Sequence, residues 1–317
     1  MPLQNPYYVI VAVWLLAYLL DHFLAEPKKW HPLVGFGNAA SALEKRCNRQ
    51  QTRFFERLRG ALAWCLVVLP PVLLVLAMSA LLERLHWLFG FCFDALILYL
   101  AMGWRSLSEH IQPIASALAK GDLVLARQCL SWIVSRDTDN LSDAEVLSSA
   151  MESGLENSSD AFFASLFWYA VAGPAAVVLH RLANTLDAMW GYRSSRYSHF
   201  GSFAARCDDV LNFFPAQLTA LSFSLLSCSP AAFRCWWGQG WRWKSINAGS
   251  VMASGAAALG VTLGGSARYH GQLQSRPQLG QGEAPSAVDV NRTLNLANKV
   301  FFLWLTAVLI LGVLVAL

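Results

Sequence analysis

Residues 300–317 are apolar but for Thr306 and hold no charged side chain. A helix that crosses a bilayer needs about 20 such residues, because lipid forces every backbone polar group to be satisfied inside the helix. Stretches 7–24, 60–82, 85–103, 162–182 and 210–228 are of the same kind. Residues 251–265 are rich in Ala and Gly and read as a re-entrant or tightly packed segment. The expected fold class is all-α: a polytopic integral membrane protein with five or six spans, some broken or re-entrant, and amphipathic cytoplasmic helices. Composition agrees. Of 317 residues, 56% are hydrophobic and 14% are charged, against roughly 25% charged in a soluble domain. Such hydrophobicity excludes a disordered chain. Seven cysteines, odd in number and without a CxxC pair, exclude a disulfide scaffold. A net charge of +4 suits loops beside anionic lipid. With no dense basic stripe, no nucleic-acid partner is expected.

Breakers punctuate the apolar runs. Pro70 and Pro71 are expected to kink their helix. Gly173 and Pro174 interrupt 162–182, and Pro215 lies within 210–228. No Lys or Arg precedes Lys28 and no small-residue cleavage site is visible, so the first run is expected to stay as a helix. Residues 25–59 hold eight basic side chains (Lys28, Lys29, Lys45, Arg46, Arg49, Arg53, Arg57, Arg59) against three acidic ones (Glu26, Glu44, Glu56), which places this loop in the cytoplasm. Residues 104–161 are polar with helical periodicity. There Leu118, Val124, Leu125, Ile133 and Val134 are expected to form an apolar face lying on the membrane. Residues 268–290 read as a loop, and no strand is expected. No repeat or soluble domain stands out, so residues 1–317 are read as one membrane-embedded domain. If every run crosses, 104–161 and 183–209 end on opposite sides. A Gly-Pro break that turns 162–182 into a re-entrant hairpin would let them share a site.

The polar residues gather in clusters. Arg136, Asp137 and Thr138 precede Glu152, Glu156, Asn157 and Asp160. At i, i+4 and i+8 the three carboxylates would stack on one helix face and repel, by roughly 0.2–0.5 kcal/mol per pair in water. A Mg²⁺ ion would relieve that repulsion; the alternative is a solvated acidic face. Asp208, Asp209 and Asn212 open the run 210–228. Adjacent carboxylates there are costly unless paired or metal-bound. Upstream lie Asn184, Asp187, Tyr192, Arg193, Arg196, Tyr197 and Arg206. Carboxylates for a metal beside arginines for phosphate suggest a phosphorylated substrate; the alternative is juxtamembrane anchoring. Asp21, Pro27, His31, Pro32 and Gly35 follow the first run and fit either a binding loop or a fixed turn. Asn247, Ala248 and Gly249 lead into the glycine-rich segment, where glycine permits close approach of a ligand or of another helix. Asp94, in mid-span, is a functional suspect or a hydrogen-bonded core residue.

Together these clusters resemble, from end to end, the adenosylcobinamide-phosphate synthases of cobalamin biosynthesis, the CobD/CbiB family of membrane proteins. The resemblance runs through Asp21 to Gly35, Arg136-Asp137-Thr138, Glu152-Ser153, Glu156-Asn157 and Asp160. It continues through Asn184-Thr185-Leu186-Asp187, Gly191-Tyr192, Arg206, Asp208-Asp209, Asn212, Pro215, Asn247-Ala248-Gly249 and Leu263-Gly264-Gly265. The chain departs at Ser135 and Ala161, where the family has Gly. It departs at Ser165, Ile246 and Ser266, where the family has Pro, and at Gln217, where the family has Arg.

The resemblance implies an ATP-dependent acid–amine ligase in the bacterial inner membrane. It would join adenosylcobyric acid, a corrinoid, to (R)-1-aminopropan-2-ol phosphate or ethanolamine phosphate. Mg²⁺ is the implied cofactor, ATP the co-substrate, and the bilayer and other late-pathway membrane enzymes the implied partners. Glu152, Glu156, Asp160, Asp208 and Asp209 would be the catalytic, Mg²⁺-holding set. Arg136, Arg196 and Arg206 would hold phosphates, and Asn157, Asn184, Asn212 and Asn247 would orient substrate. Asp21, His31, Asp137, Asp187 and Tyr192 would complete the binding residues. Two other readings are a non-catalytic membrane sensor related to the family and an intramembrane Mg²⁺-dependent transferase of prenyl or lipid diphosphates. The latter usually shows two DxxxD-type motifs, and no Asp follows Asp209 at that spacing.

Overall fold

A computed structural model describes residues 5–27, 31–49, 52–192, 194–269 and 271–317. Lys28, Lys29 and Arg193 lie outside the described residues. The protein is predominantly helical, and among the described residues six helical stretches are long and apolar enough to cross a membrane: Pro6–Leu24, Arg53–Leu85, Trp87–Ala119, Asp143–Trp190, Ser202–Ser227 and Ala287–Ala316. Each of the six apolar runs of the sequence falls within one of these stretches to within two residues. Many of their outward side chains are hydrophobic, such as Leu62, Leu66, Leu73 and Leu74 of Arg53–Leu85, as a lipid-facing surface requires.

The chain divides into two compact units, each built from discontinuous stretches. The first comprises Met1–Gly103, Ala164–Asn212 and Val308–Leu317. In it α1 (Pro6–Leu24) packs on α4 (Trp87–Ala101). Helix α3 (Arg53–Leu85) packs on α4 and on α8 (Ala164–Trp190), and α2 (Pro32–Cys47) packs on α3 and α8. Ala40, Trp64, Val68, Leu186, Trp190 and Phe200 form the core between α2, α3 and α8. A Cβ at Gly60 of α3 would overlap the Phe200 carbonyl, so glycine sets that close approach. Helix α3 continues through Pro70 and Pro71, so the expected kink does not end it. The break in α8 falls where Gly-Pro predicts it: Ala172 and Gly173 leave helical dihedrals, Gly173 at φ 71°. Asp94 accepts hydrogen bonds from Ser79 Oγ at 3.1 Å and Tyr169 Oη at 3.0 Å, and so reads as a satisfied polar link between α3, α4 and α8.

The second unit comprises Trp104–Phe163 and Phe213–Ala307. Helices α5 (Trp104–Ala119), α6 (Leu123–Ser131) and α7 (Asp143–Asn157) pack on one another around Ile114, Ala126, Leu130, Val146 and Ala150. Leu118, Ile133 and Val134 join this core, whereas Val124 and Leu125 are exposed. The five residues expected to make one membrane-lying face are thus divided, because α5 and α6 fold onto α7. A capping box, Ser142 with Glu145, starts α7. The buried helix α11 (Ile246–Leu259) packs on α7 and on α10 (Pro230–Gly238), so 251–259 is a tightly packed segment. Among the described residues four short strands correct the loop and no-strand expectations. β1 (Thr262–Gly264) pairs antiparallel with β4 (Gln278–Gly280), and β2 (Ala267–Tyr269) pairs with β3 (Gln272–Gln274). Two of the long helices, α9 (Ser202–Ser227) and α12 (Ala287–Ala316), contribute to both units.

Candidate functional site

In the second unit the polar centre is Glu152, buried on α7. Its Oε2 accepts from Arg136 Nη2 at 2.6 Å and from Arg276 Nη1 at 3.0 Å. Its Oε1 accepts from the Gly264 amide at 3.0 Å, from Ser148 Oγ at 3.2 Å and from Arg276 Nη2 at 3.3 Å. Arg136 also donates to Ser149 Oγ at 2.9 Å and lies over the Tyr269 ring; Arg276 lies over the Trp243 ring. Burial works against the charge of Arg136, but Glu152 holds the guanidinium above its ordinary range. A cleft of about 200 Å³ opens beside this cluster, lined by Arg136, Ser148, Ser149, Gly264 and Arg276 among others. Asp137 Oδ2 accepts from the Gly271 amide at 2.7 Å, and the Asp137 amide donates to the Arg268 carbonyl at 3.0 Å. Glu152 and Asp137 thereby clip the β1–β4 segment to the body of this unit.

The expected stack of three carboxylates does not form one stripe. Helix α7 ends at Asn157 and a π-helical turn, Ser158–Phe163, follows. The wider winding of that turn breaks the i, i+4, i+8 register. Glu152 is buried against its arginines, while Glu156, Asn157 and Asp160 are half-buried. Asn157 Nδ2 donates back to the Ser153 carbonyl at 2.9 Å. Asn247 is buried in the first turn of α11, which Ser245 caps. Gln217 accepts from Trp236 Nε1 at 2.8 Å and ties α9 to α10.

The first unit holds the other cluster. Asp208, nearly buried on α9, accepts at Oδ1 from Asn212 Nδ2 at 2.9 Å and from Asn184 Nδ2 at 3.1 Å. Asn212 Oδ1 lies 2.7 Å from His180 Nε2. Asp187 stands within electrostatic reach of Asp208 and Asp209. Asp187, half-buried on α8, is pressed by Gly191, where a Cβ would overlap its Oδ1. Asp209, Arg206 and Tyr192 are exposed.

The other expected binding residues in this unit have structural partners. Arg196 makes a two-point pair with Glu44: Nε to Oε1 at 3.0 Å and Nη2 to Oε2 at 2.7 Å. Asn48 Nδ2 adds bonds to Glu44 Oε1 at 2.8 Å and to the Arg196 carbonyl at 2.9 Å. Burial pushes the Glu44 carboxyl up, but Arg196 and Asn48 hold it below its ordinary range. His31 caps α2, its Nδ1 accepting from the Leu33 amide at 3.2 Å, while Nε2 sits 3.3 Å from Glu26 Oε1. Asp21 is buried at the end of α1, where its carbonyl accepts from the Ala25 amide at 3.1 Å. His180 and Arg276 also belong to these clusters, and neither stands out in the sequence by type. His180 sits four residues before Asn184, as Asp208 sits four before Asn212, and that matched spacing was the available signal.

The donor sets fit Mg²⁺ in one form. This ion is commonly held by one or two carboxylates together with substrate phosphates. Asp208 offers one such carboxylate with Asp187 and Asp209 within electrostatic reach, and Glu156 and Asp160, four residues apart across the π-helical turn, are the carboxylates of the second unit. Among the described residues no group of three or more His, Cys, Asp or Glu converges as an all-protein cage. Glu152 does not fit a metal, because two arginines and an amide engage both its oxygens.

Residues 14–297 match the CobD/Cbib protein family. A protein of Chromobacterium violaceum, Cobalamin biosynthesis protein CobD, is 48% identical over 305 residues, covering 94% of this chain and 96% of its own length. One of the same name from Stutzerimonas stutzeri is 51% identical over 296 residues, covering 93% and 96%. Another, from Halalkalibacterium halodurans, is 34% identical over 305 residues, covering 93% and 94%. No solved structure matches the chain. With the family match and these relatives spanning nearly its whole length, the chain belongs to the CobD/CbiB family of cobalamin biosynthesis.

Proposed function

We propose that the protein is an adenosylcobinamide-phosphate synthase of the bacterial cytoplasmic membrane. It would join adenosylcobyric acid to (R)-1-aminopropan-2-ol phosphate or ethanolamine phosphate, using ATP and Mg²⁺. Family membership over residues 14–297 carries the reading, and the polar clusters supply suitable chemistry.

A carboxylate and an amine at neutral pH form a salt, so the acyl carbon needs a leaving group. In the proposed sequence a propionate oxygen of the corrinoid attacks the γ-phosphorus of ATP, ADP departs, and an acyl phosphate forms. The amine of the amino-alcohol phosphate then attacks the acyl carbon. The carbon–oxygen bond to phosphate breaks, and one amine proton leaves with inorganic phosphate. Bound Mg²⁺ would neutralise the phosphates and the charge developed during transfer. Asp208 and Asp209 would hold it, with Asp187 beside them; Glu156 and Asp160 are the acidic pair of the second unit. Asn184 and Asn212 fix Asp208 by capping one of its oxygens. Arg206, exposed, and Arg196, half exposed beside Glu44, are the proposed phosphate contacts. Arg136 acts instead through Glu152, setting the wall of the cleft.

The test is direct. Protein purified in detergent is given adenosylcobyric acid, ATP, Mg²⁺ and each amino-alcohol phosphate, and the corrinoid is followed by mass. A product heavier by the amide-linked phosphate supports the synthase. Folded protein that yields none with either amine would overturn the reading in favour of a non-catalytic relative.

A further inference from the structure

His180 is fully buried on α8, and the reaction sequence above makes no use of it. Its Nε2 meets Asn212 Oδ1 at 2.7 Å, and Asn212 Nδ2 donates to Asp208 Oδ1 at 2.9 Å. A carboxylate only accepts, so Asp208 faces the NH₂ end of the Asn212 amide. The carbonyl end is left for His180, which must donate to it. His180 Nδ1 is buried with no hydrogen-bond partner among the described residues. The tautomer protonated at Nε2 therefore satisfies the contact that the ring makes. Asn184 Nδ2 donates to the same Asp208 oxygen at 3.1 Å. Both amides thus cap Oδ1, and among the described residues no hydrogen bond reaches Oδ2. The charged groups around Asp208 are Asp209 and Arg181, with Asp187 alongside.

We propose that His180 is a positioning residue: it locks the Asn212 amide in one of its two orientations and so holds Asp208 with Oδ1 capped and Oδ2 presented to a divalent cation. The proposal rests on the reading of Asp208 as a cation ligand. Without the His180 donor, the Asn212 carbonyl is buried with no partner, which is costly in that setting, and the amide shifts to find one. Its Nδ2 then moves out of line with Oδ1, and the cap on that oxygen weakens. Outer partners that orient a metal ligand typically contribute 10–100-fold in metal affinity.

The test uses full-length protein in detergent and Mn²⁺ as the probe, titrated by electron paramagnetic resonance with and without ATP, whose phosphates supply the remaining oxygen ligands. His180→Phe keeps the ring and removes the donor; His180→Gln keeps an N–H at similar reach. Phe should weaken Mn²⁺ binding about tenfold or more in protein that still melts cooperatively, and Gln should restore it to within about threefold. Asn212→Leu cuts the same chain one link on and should match the Phe variant, which keeps the test open if His180→Phe does not fold. Unchanged Mn²⁺ affinity in folded His180→Phe and Asn212→Leu would overturn the proposal. So would equal losses in the Phe and Gln variants, or wild-type protein that binds no Mn²⁺. Because the readout needs no turnover, wild-type protein that binds Mn²⁺ yet makes no amide overturns the synthase reading and leaves the positioning role standing.

Discussion

Arg136 Nη2 donates to Glu152 Oε2 at 2.6 Å, joining the loop after α6 to the buried face of α7. Arg276 reaches the same carboxylate from the far end of the sequence, at 3.0 Å. Removing one partner of a buried pair leaves the other charge uncompensated, typically at 3–5 kcal/mol. Glu152→Ala should therefore behave as a folding variant, destabilised by about 3–5 kcal/mol. Its melting temperature in detergent should fall sharply, and segment 262–280 should become sensitive to protease. A Glu152→Ala protein with wild-type melting and no turnover would instead return Glu152 to the catalytic set.

Gly264 reaches the same carboxylate through its backbone. Its amide donates to Glu152 Oε1 at 3.0 Å while its φ is 80°, and a Cβ there would overlap the Pro277 carbonyl. Gly264→Ala meets both obstacles and should cost about 1–3 kcal/mol of local strain. Faster amide hydrogen exchange across β1 and β4, with exchange in α5 and α6 unchanged, is the expected result. Uniform protection identical to wild type would show that the segment accommodates a side chain.

The spans were legible because lipid demands long uninterrupted apolar runs, which no other constraint produces. The break at Gly173 and the tight packing of 251–259 were legible for the same reason, since Gly and Pro change backbone geometry locally. The partners of Glu152 were not. Arg276 lies 124 positions away in a run of Gly, Pro, Gln and Ser that has no periodicity to place it. Nor does the sequence mark the π-helical turn that takes Asp160 out of register with Glu152. His31 stands out as a binding residue by type, yet its ring caps a helix, and Arg196 offers its guanidinium from a pair with Glu44 that no spacing announces. Residue type names the available chemistry; the fold decides which part of it is spent on structure.

The Glu44–Arg196 pair gives stability a definite pH dependence. Glu44 is held below its ordinary range in the folded protein. A carboxyl with a depressed folded value contributes fully above its unfolded value, and the contribution is lost as pH falls through the folded value. Wild-type protein should therefore lose melting temperature as pH drops from neutral to about 3. Glu44→Gln, less stable at neutral pH, should show a shallower decline. Parallel curves for the two proteins would assign the acid loss to other carboxylates.

Gly191 tests whether Asp187 belongs to the acidic cluster. Its amide donates to the Asp187 carbonyl at 2.7 Å, closing the end of α8. A methyl group at 191 would overlap Asp187 Oδ1 and crowd that carbonyl. The carboxylate is the more mobile of the two, so Gly191→Ala should push it away from its place beside Asp208 and Asp209. Helix α8 itself is anchored by Leu186 and Trp190 in the core of this unit. The expected outcome is a fold that melts within a few degrees of wild type, roughly a 1 kcal/mol effect, with amide synthesis reduced about tenfold or more. Gly191→Ser adds the same clash plus a hydroxyl and should be no better. Full activity in a folded Gly191→Ala protein would mean that Asp187 can move without consequence, and that Asp208 and Asp209 suffice.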